Sequence, residues 1–155
     1  MPETYRLRGN RVQPLTLSHI CNVANNVGKA LGFNKRNKRS LDEVFESLFK
    51  LGVIVNVIAD EDWLFVTKGH CDPSKATICV PQSIYENACI GERDALAVML
   101  HEMGHLFLGH RPVLHYSNEP AVKEEDAEWQ ADSFAEVILK SMGYQTEQLS
   151  FDFYM

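Results

Sequence analysis

The sequence lacks an apolar run long enough to form a membrane-spanning helix. Such a span needs about 20 consecutive, mostly apolar residues, and no stretch of the 155 residues meets that requirement. The N-terminus also lacks the apolar region of a signal peptide. We therefore expect a cytoplasmic protein that makes no contact with membranes.

Paired cysteines are also absent. The four cysteines, at positions 21, 71, 79 and 89, show no CxxC spacing, so they predict neither a structural zinc site nor a disulfide framework. In the cytoplasm we expect reduced thiols. Internal repeats and low-complexity tracts are missing as well. With 45% hydrophobic residues, the pattern predicts one domain over residues 1–155, including a basic N-terminal segment (1–39) and a short tail (144–155).

Acidic residues are scarce at the N-terminal end. The first 39 residues carry eight Lys and Arg against Glu3 alone, although the whole chain has a net charge of −6. One hypothesis is a phosphate-binding patch for nucleic acid, formed by Lys35, Arg36, Lys38 and Arg39. The alternatives are a solvated basic segment, or one that meets the acidic part of its own chain.

The strongest signal that is present is HEMGH, which begins at His101. On a helix, His101 and His105 lie one turn apart on the same face and can bind one metal ion, while Glu102 can act as a general base for hydrolysis. The flanking residues are apolar nearly all round, which predicts a buried helix. Buried histidines and carboxylates require partners, and a metal would supply them. The alternative is a chance match on a core helix whose histidines are satisfied in other ways.

A second helix, predicted from about Pro120 to Met142, contains EWQAD. Glu128 and Asp132 are again one turn apart. A catalytic zinc takes three protein ligands and keeps one position open, so Glu128 can be the third ligand. Asp132 can accept a hydrogen bond from the far ring nitrogen of a ligand histidine. Read alone, the motif is equally typical of an acidic, solvated helix face.

HEMGHLFLGH followed by EWQADSFA resembles the ImmA/IrrE family of small metallopeptidases. The resemblance covers the C-terminal half strongly and the middle of the chain by pattern only. It implies a zincin fold, a zinc ion, and cleavage of a helix-turn-helix repressor encoded nearby. The sequence departs from the common HELGHLLLH continuation because Gly109 shifts His110 by one place, so we expect His110 to be an ordinary helix-end residue.

The rest of the chain predicts an α+β domain, and the resemblance implies that this domain is of zincin type. Helical periodicity covers Leu15–Leu31, and Ser40 with Glu43 predicts a capping box that opens a second helix. Three strands follow, at Val53–Ala59, Trp63–Thr67 and Ala76–Val80. We expect a small antiparallel sheet that packs on the N-terminal helices and on the HExxH helix. Its third strand is our candidate for the edge that holds an extended substrate.

Two further hypotheses concern loops. His115 and Tyr116, between the ligand-bearing helices, are candidate catalytic donors to the oxyanion of peptide hydrolysis, and the alternative is an ordinary surface loop. Cys71 lies in the predicted loop Lys68–Lys75, and its thiolate could fill the open zinc position and restrain the enzyme. The alternative for Cys71 is an ordinary thiol.

Together these patterns predict a zinc-dependent endopeptidase, with His101, His105 and Glu128 as ligands and Glu102 as general base. An alternative from another class is a metal-bound regulator that binds a repressor or nucleic acid without hydrolysing anything. The complete HExxH favours the enzyme, since a protein that only binds has no need of a general base.

Overall fold

The computed structural model describes residues 5–111 and 120–146 of the chain. Helices and strands of this part form an α+β arrangement, with the order α1 (Leu17–Leu31), α2 (Asp42–Ser47), β1 (Ile54–Ile58), β2 (His70–Asp72), β3 (Thr77–Pro81), α3 (Gln82–Cys89), α4 (Arg93–Phe107) and α5 (Ala127–Ser141). No helix in the described ranges is both long and apolar enough to cross a membrane.

The sheet of the described residues has the strand order β1-β3-β2 and is mixed, so the antiparallel prediction is wrong. β1 and β3 run parallel, with Val55 opposite Ile78, whereas β2 and β3 run antiparallel, with Cys71 opposite Ile78. A parallel pair requires a long crossover connection, and residues 59–76 supply it. β3 is the central strand and therefore cannot be the substrate-binding edge. The edges are β1 and β2.

The predicted strand Trp63–Thr67 is not formed. The indole N–H of Trp63 instead donates a hydrogen bond to the carbonyl oxygen of Thr67 at 2.8 Å, which closes a loop. Leu64 and Val66 project from this loop and are more than 90% exposed. The apolar residues here resemble those of a strand, but no strand in the described ranges pairs with them. The strand that follows, β2, lies inside the predicted Lys68–Lys75 loop.

The helical predictions before the sheet are only partly right. α1 ends at Gly32, whose positive φ of 90° is easily adopted by glycine. The expected capping box is wrong, because α2 has Leu41 at its N-cap and no side-chain cap bond there. After Ser47 the chain tightens into a 3₁₀ turn, Leu48–Leu51, which leaves Phe49 77% exposed. Helix α3 was not predicted from the sequence.

The core is one cluster of buried residues contributed by all five described helices and by β3. α4 and α5 pack closely at its centre because position 104 is glycine. A β-carbon added at Gly104 would lie 3.1 Å from the Cα of Ala131 and 3.2 Å from its carbonyl oxygen. That spacing is tighter than ordinary side-chain contact, so the absence of a side chain allows the two helices to approach. β2 and β3 pack on α4 from another side.

Candidate metal centre

Helix α4 presents His101 and His105 on one face. The helix begins at the N-cap Glu92, whose carboxylate accepts hydrogen bonds from the backbone N–H groups of Asp94 and Ala95 at 3.1 and 2.7 Å. Two turns later the histidine rings stand nearly perpendicular, with centroids 4.8 Å apart. Their Nε2 atoms are 3.2 Å apart. Both histidines therefore point one nitrogen at the same small volume.

Helix α5 starts at Ala127, later than the predicted Pro120, because Asp126 caps it. The fully buried Asp126 carboxylate accepts from the backbone N–H of Glu128 at 2.9 Å. It also accepts from the Tyr5 hydroxyl at 2.7 Å and from the Arg8 backbone N–H at 2.8 Å. The N-terminal segment is thereby tied to the first turn of α5, where Glu128 lies. Asp126 was not among the predicted site residues, although an Asp just before an apolar helix is a recognised capping signal.

Glu128 completes a triangle of potential ligand atoms. Its Oε2 atom is 3.0 Å from Nε2 of His101 and 2.9 Å from Nε2 of His105. Ligand atoms around a tetrahedral zinc lie about 3.3 Å apart, as Zn–N bonds of about 2.0–2.1 Å require. The observed edges are close to that value. The three atoms therefore have nearly the spacing that a metal ion of this kind requires.

The hydrogen-bond chemistry of the triangle also fits a cation. When His101 and His105 are neutral, each donates its Nδ1–H to another residue, and both Nε2 atoms offer lone pairs. In that state the buried Oε2 atom of Glu128 has no hydrogen-bond donor among the described residues. Three lone pairs that converge in this way repel one another unless a proton or a metal ion lies among them. A positive ion among them would satisfy all three. This part of the chain can hold a metal ion, and the donor atoms of His101, Glu102 and His105 lie within 4.8 Å of one another.

The far nitrogen of His101 has a charged partner. Its Nδ1 lies 2.7 Å from Oδ1 of Asp132, and the other oxygen of Asp132 accepts from the Arg8 guanidinium at 2.9 Å. The carboxylate holds the proton of His101 on Nδ1 and leaves Nε2 free to bind a metal. Asp132 thus occupies the position that the one-turn spacing to Glu128 predicts.

The far nitrogen of His105 has a different, uncharged partner. Its Nδ1 lies 2.8 Å from Nδ1 of His110, and His110 Nε2 lies 2.7 Å from the side-chain oxygen of Gln130. His110 follows the end of α4 and is only 6% exposed, whereas Gln130 is fully buried. The sequence predicted only an ordinary helix-end residue at His110, and it predicted no role for Gln130. Neither was detectable from spacing, because the contact joins a loop residue to the neighbouring helix.

Glu102 is buried beside the triangle and belongs to the same cluster of donor atoms. Burial raises the pKa of Glu102, and the nearby His101 and His105 lower it, with a net shift upward. A methyl group added at Gly69 would lie 3.1 Å from Glu102 Oε2. Glycine at this position therefore keeps the space over the carboxylate open, a role that the sequence did not predict.

The pKa values of His101 and His110 are shifted in opposite directions. Burial lowers the pKa of His101, but hydrogen bonds and charge from Asp132 and Glu128 outweigh it and raise the value to about 10. Close contacts with His101 and His105 hold the pKa of Glu128 well below its usual range. The ring of His110 bonds to an amide and an imidazole instead of a carboxylate, and burial lowers its pKa to about 4. Without metal, a proton therefore stays on His101 at neutral pH.

An open cavity of about 620 Å³ contains the triangle and Glu102. Part of the basic N-terminal segment forms one wall, where a β-carbon at Gly9 would lie 2.6 Å from the Cγ of Glu128. Arg8 pairs with Asp132, and Arg11 pairs with Glu125 at 2.8 Å. This portion of the basic segment meets the acidic part of its own chain, which was one of the alternatives left open.

The structure describes Cys71 but not the other loop candidates, His115 and Tyr116. Cys71 lines the cavity, but it lies in strand β2 rather than in a loop. Burial and the nearby charge of Glu102 raise the pKa of its thiol to about 12. Its proposed role as a zinc ligand stays a prediction. His115 and Tyr116 lie outside the described residues. The same holds for the tail beyond residue 146.

Comparison with known proteins gives no relative: no family model, no curated protein and no solved structure matches the chain.

Proposed function

We propose that the chain is a zinc-dependent endopeptidase with His101, His105 and Glu128 as metal ligands. The observation that carries the proposal is the buried carboxylate of Glu102, held within 4.8 Å of the histidine donor atoms but outside the 2.9–3.2 Å triangle. A structural zinc site is closed by four protein ligands. Three ligands with a carboxylate beside them are the arrangement of a hydrolytic site.

A zinc ion in the triangle would lower the pKa of water to about 7 and polarise a peptide carbonyl. The protein's own part of the reaction falls to Glu102. Its carboxylate takes the proton of the attacking water and later delivers it to the leaving amine nitrogen. The raised pKa of Glu102 suits this exchange, because a group that must gain and lose a proton works best with a pKa near the operating pH.

The substrate would be an extended peptide, bound along β2. This strand is an edge of the sheet, and the preceding Gly69 borders Glu102. A peptide that adds to β2 by backbone hydrogen bonds would therefore pass over the general base. The exposed Leu64 and Val66 project from the loop just before β2. Because this loop continues into Thr67 and Lys68, which line the cavity, exposed apolar side chains on it favour a protein substrate over a small polar one.

The ImmA/IrrE resemblance identifies a candidate for that protein. It implies a helix-turn-helix transcriptional repressor encoded close to this gene, and we propose such a repressor as the substrate. The motifs that support it are HEMGH from His101 and EWQAD from Glu128. The cavity is compatible with this substrate because its open side would admit a flexible segment of another protein.

Co-incubation of the purified protein with the neighbouring repressor tests the proposal. Wild type should cleave the repressor, and Glu102→Gln should not, while both retain the same amount of metal because the substitution removes a base and no ligand. Loss of metal from Glu102→Gln would instead make Glu102 a ligand. An intact repressor in a stable complex with both proteins would favour the non-hydrolytic regulator.

A further inference from the structure

A chain of hydrogen bonds runs from two backbone carbonyls to the metal-facing nitrogen of His105. The side-chain N–H₂ of Gln130 donates to the carbonyl oxygens of Gln13 and Glu124 at 2.8 and 2.6 Å. Carbonyl oxygens only accept hydrogen bonds, so these two contacts determine which end of the Gln130 amide is nitrogen. Its oxygen must then face His110, where Nε2 is 2.7 Å away.

The orientation of the Gln130 amide determines the tautomer of His110. An amide oxygen only accepts, so Nε2 of His110 must carry a hydrogen. His110 Nδ1 and His105 Nδ1, 2.8 Å apart, share one further hydrogen. If it belonged to His110, that ring would be a cation, only 6% exposed and bonded to an amide instead of a carboxylate, which burial strongly disfavours. The hydrogen therefore belongs to His105.

We infer that Gln130 and His110 are positioning residues that hold His105 in its Nδ1–H tautomer, with the Nε2 lone pair directed at the metal. The inference rests on the metal site of the proposed function and not on its peptidase activity. Ligand histidines generally donate a hydrogen bond from their second ring N–H to a carboxylate, carbonyl or water. Here His101 has the anionic Asp132 and His105 has a neutral imidazole. The pair thus orients His105 without adding a second negative charge.

This chain of hydrogen bonds, which we call the relay, also explains why Gln130 and His110 are buried. Gln130 lies between Glu128 and Asp132 on α5 but is fully buried, and it bonds to the N-terminal segment and to the residues before α5. The N-terminal segment and the residues before α5 are thereby connected to the His105 ring through the side chains of Gln130 and His110. A shift of any of these segments would therefore change the orientation of the His105 ring and of its metal-facing Nε2 atom.

Two substitutions of His110 separate positioning from packing. His110→Phe keeps a ring but removes the acceptor for His105 Nδ1–H, whereas His110→Asn keeps an acceptor oxygen near the place of Nδ1. We expect His110→Phe to weaken zinc binding about 10- to 100-fold in competition with a chromogenic chelator, the usual effect of losing such a partner. His110→Asn should retain most of the affinity. His19 on α1 is exposed, so His19→Ala serves as the control for loss of a histidine. This variant should bind zinc as tightly as wild type does.

Equal zinc affinity of the Phe and Asn variants would overturn the inference, because packing alone would then account for His110. Should His110→Phe fail to fold, ¹⁵N NMR of the wild-type histidines gives the answer directly. The expected spectrum of the zinc-loaded protein shows His110 protonated on Nε2 and His105 protonated on Nδ1. The opposite tautomer at His110 would also overturn it. Neither measurement depends on cleavage, so an inactive protein with these tautomers would refute the proposed function and leave the relay intact.

Discussion

The proton on His101 should compete with the metal over an unusually wide pH range. Its pKa of about 10 lies well above the ordinary value of 6.5, because Asp132 and Glu128 stabilise the charged ring. Metal can bind only to the neutral ring, so each binding event at pH 7 to 9 must displace this proton. An ordinary histidine would stop competing above about pH 7.5.

The size of the effect follows from that pKa. Below the pKa of His101, each rise of one pH unit increases the apparent metal affinity about tenfold, because fewer protons compete with the metal. This corresponds to about 1.4 kcal/mol of binding free energy per pH unit. Between pH 7.5 and 9 we therefore expect an increase of about 30-fold. At pH 7, displacing the proton from a group with a pKa of about 10 costs about 4 kcal/mol.

The assay is competition between the protein and a chelator of known pH dependence across pH 7.5 to 9. Ionisation of water on the metal also changes affinity with pH, so Asp132→Asn is the matched control. This variant keeps the shape of the side chain but loses the charge that raises the His101 pKa, and its slope should be shallower. Equal slopes for wild type and Asp132→Asn would refute the reasoning.

The metal-free protein provides a second measurement of the same proton. A folded-state pKa raised above the unfolded value contributes stability below pH 6.5, and this contribution is lost as the pH rises through about 10. We therefore expect the melting temperature of the chelator-treated protein to fall between pH 7 and 10. In Asp132→Asn this dependence should weaken, whereas an unchanged dependence would assign it to another group.

Four further predictions follow from the site and its surroundings. Elemental analysis should find about one zinc per chain, and less zinc after Glu128→Ala because a ligand is lost. Asp132→Ala should weaken zinc binding about 10- to 100-fold. Gly104→Ala should lower stability by about 1–3 kcal/mol in urea unfolding, since the methyl group forces α4 from α5, and metal retention should fall with it. Cys71→Ser should raise basal repressor cleavage if its thiolate restrains the metal, as should a thiol-modifying reagent on wild type. Nucleic acid should bind at low salt and dissociate as salt rises, and alanine should abolish binding when it replaces Lys35, Arg36, Lys38 and Arg39.

Each of these predictions has a contrary outcome. Unchanged zinc content in Glu128→Ala would remove that ligand, and wild-type stability of Gly104→Ala would show that the helices can separate at little cost. Unchanged cleavage by Cys71→Ser would make the cysteine an ordinary thiol. A gel shift that is absent at low salt, or unaffected by the four substitutions, would refute the nucleic-acid hypothesis.

Local periodicity was enough to predict the main components of the site. A helix repeats every 3.6 residues whatever its surroundings, so the spacing of His101 with His105, and of Glu128 with Asp132, already indicates which side chains share a face. The same reasoning predicts α1 and the buried α4 correctly. These are properties of neighbours in sequence, and they require no knowledge of the fold.

Tertiary structure decided what depends on distant parts of the chain. The sheet is mixed because β3 lies between β1 and β2, a pairing that strand propensity does not encode. Asp126 is held by Tyr5 and Arg8 from more than 100 residues away.

The supports around the metal ligands were hidden from the sequence for the same reason. Gly104 matters only because α5 packs against it, and His110 matters only because Gln130 fixes its orientation. Helical spacing thus identifies the candidate ligands, whereas long-range packing positions the residues that hold them.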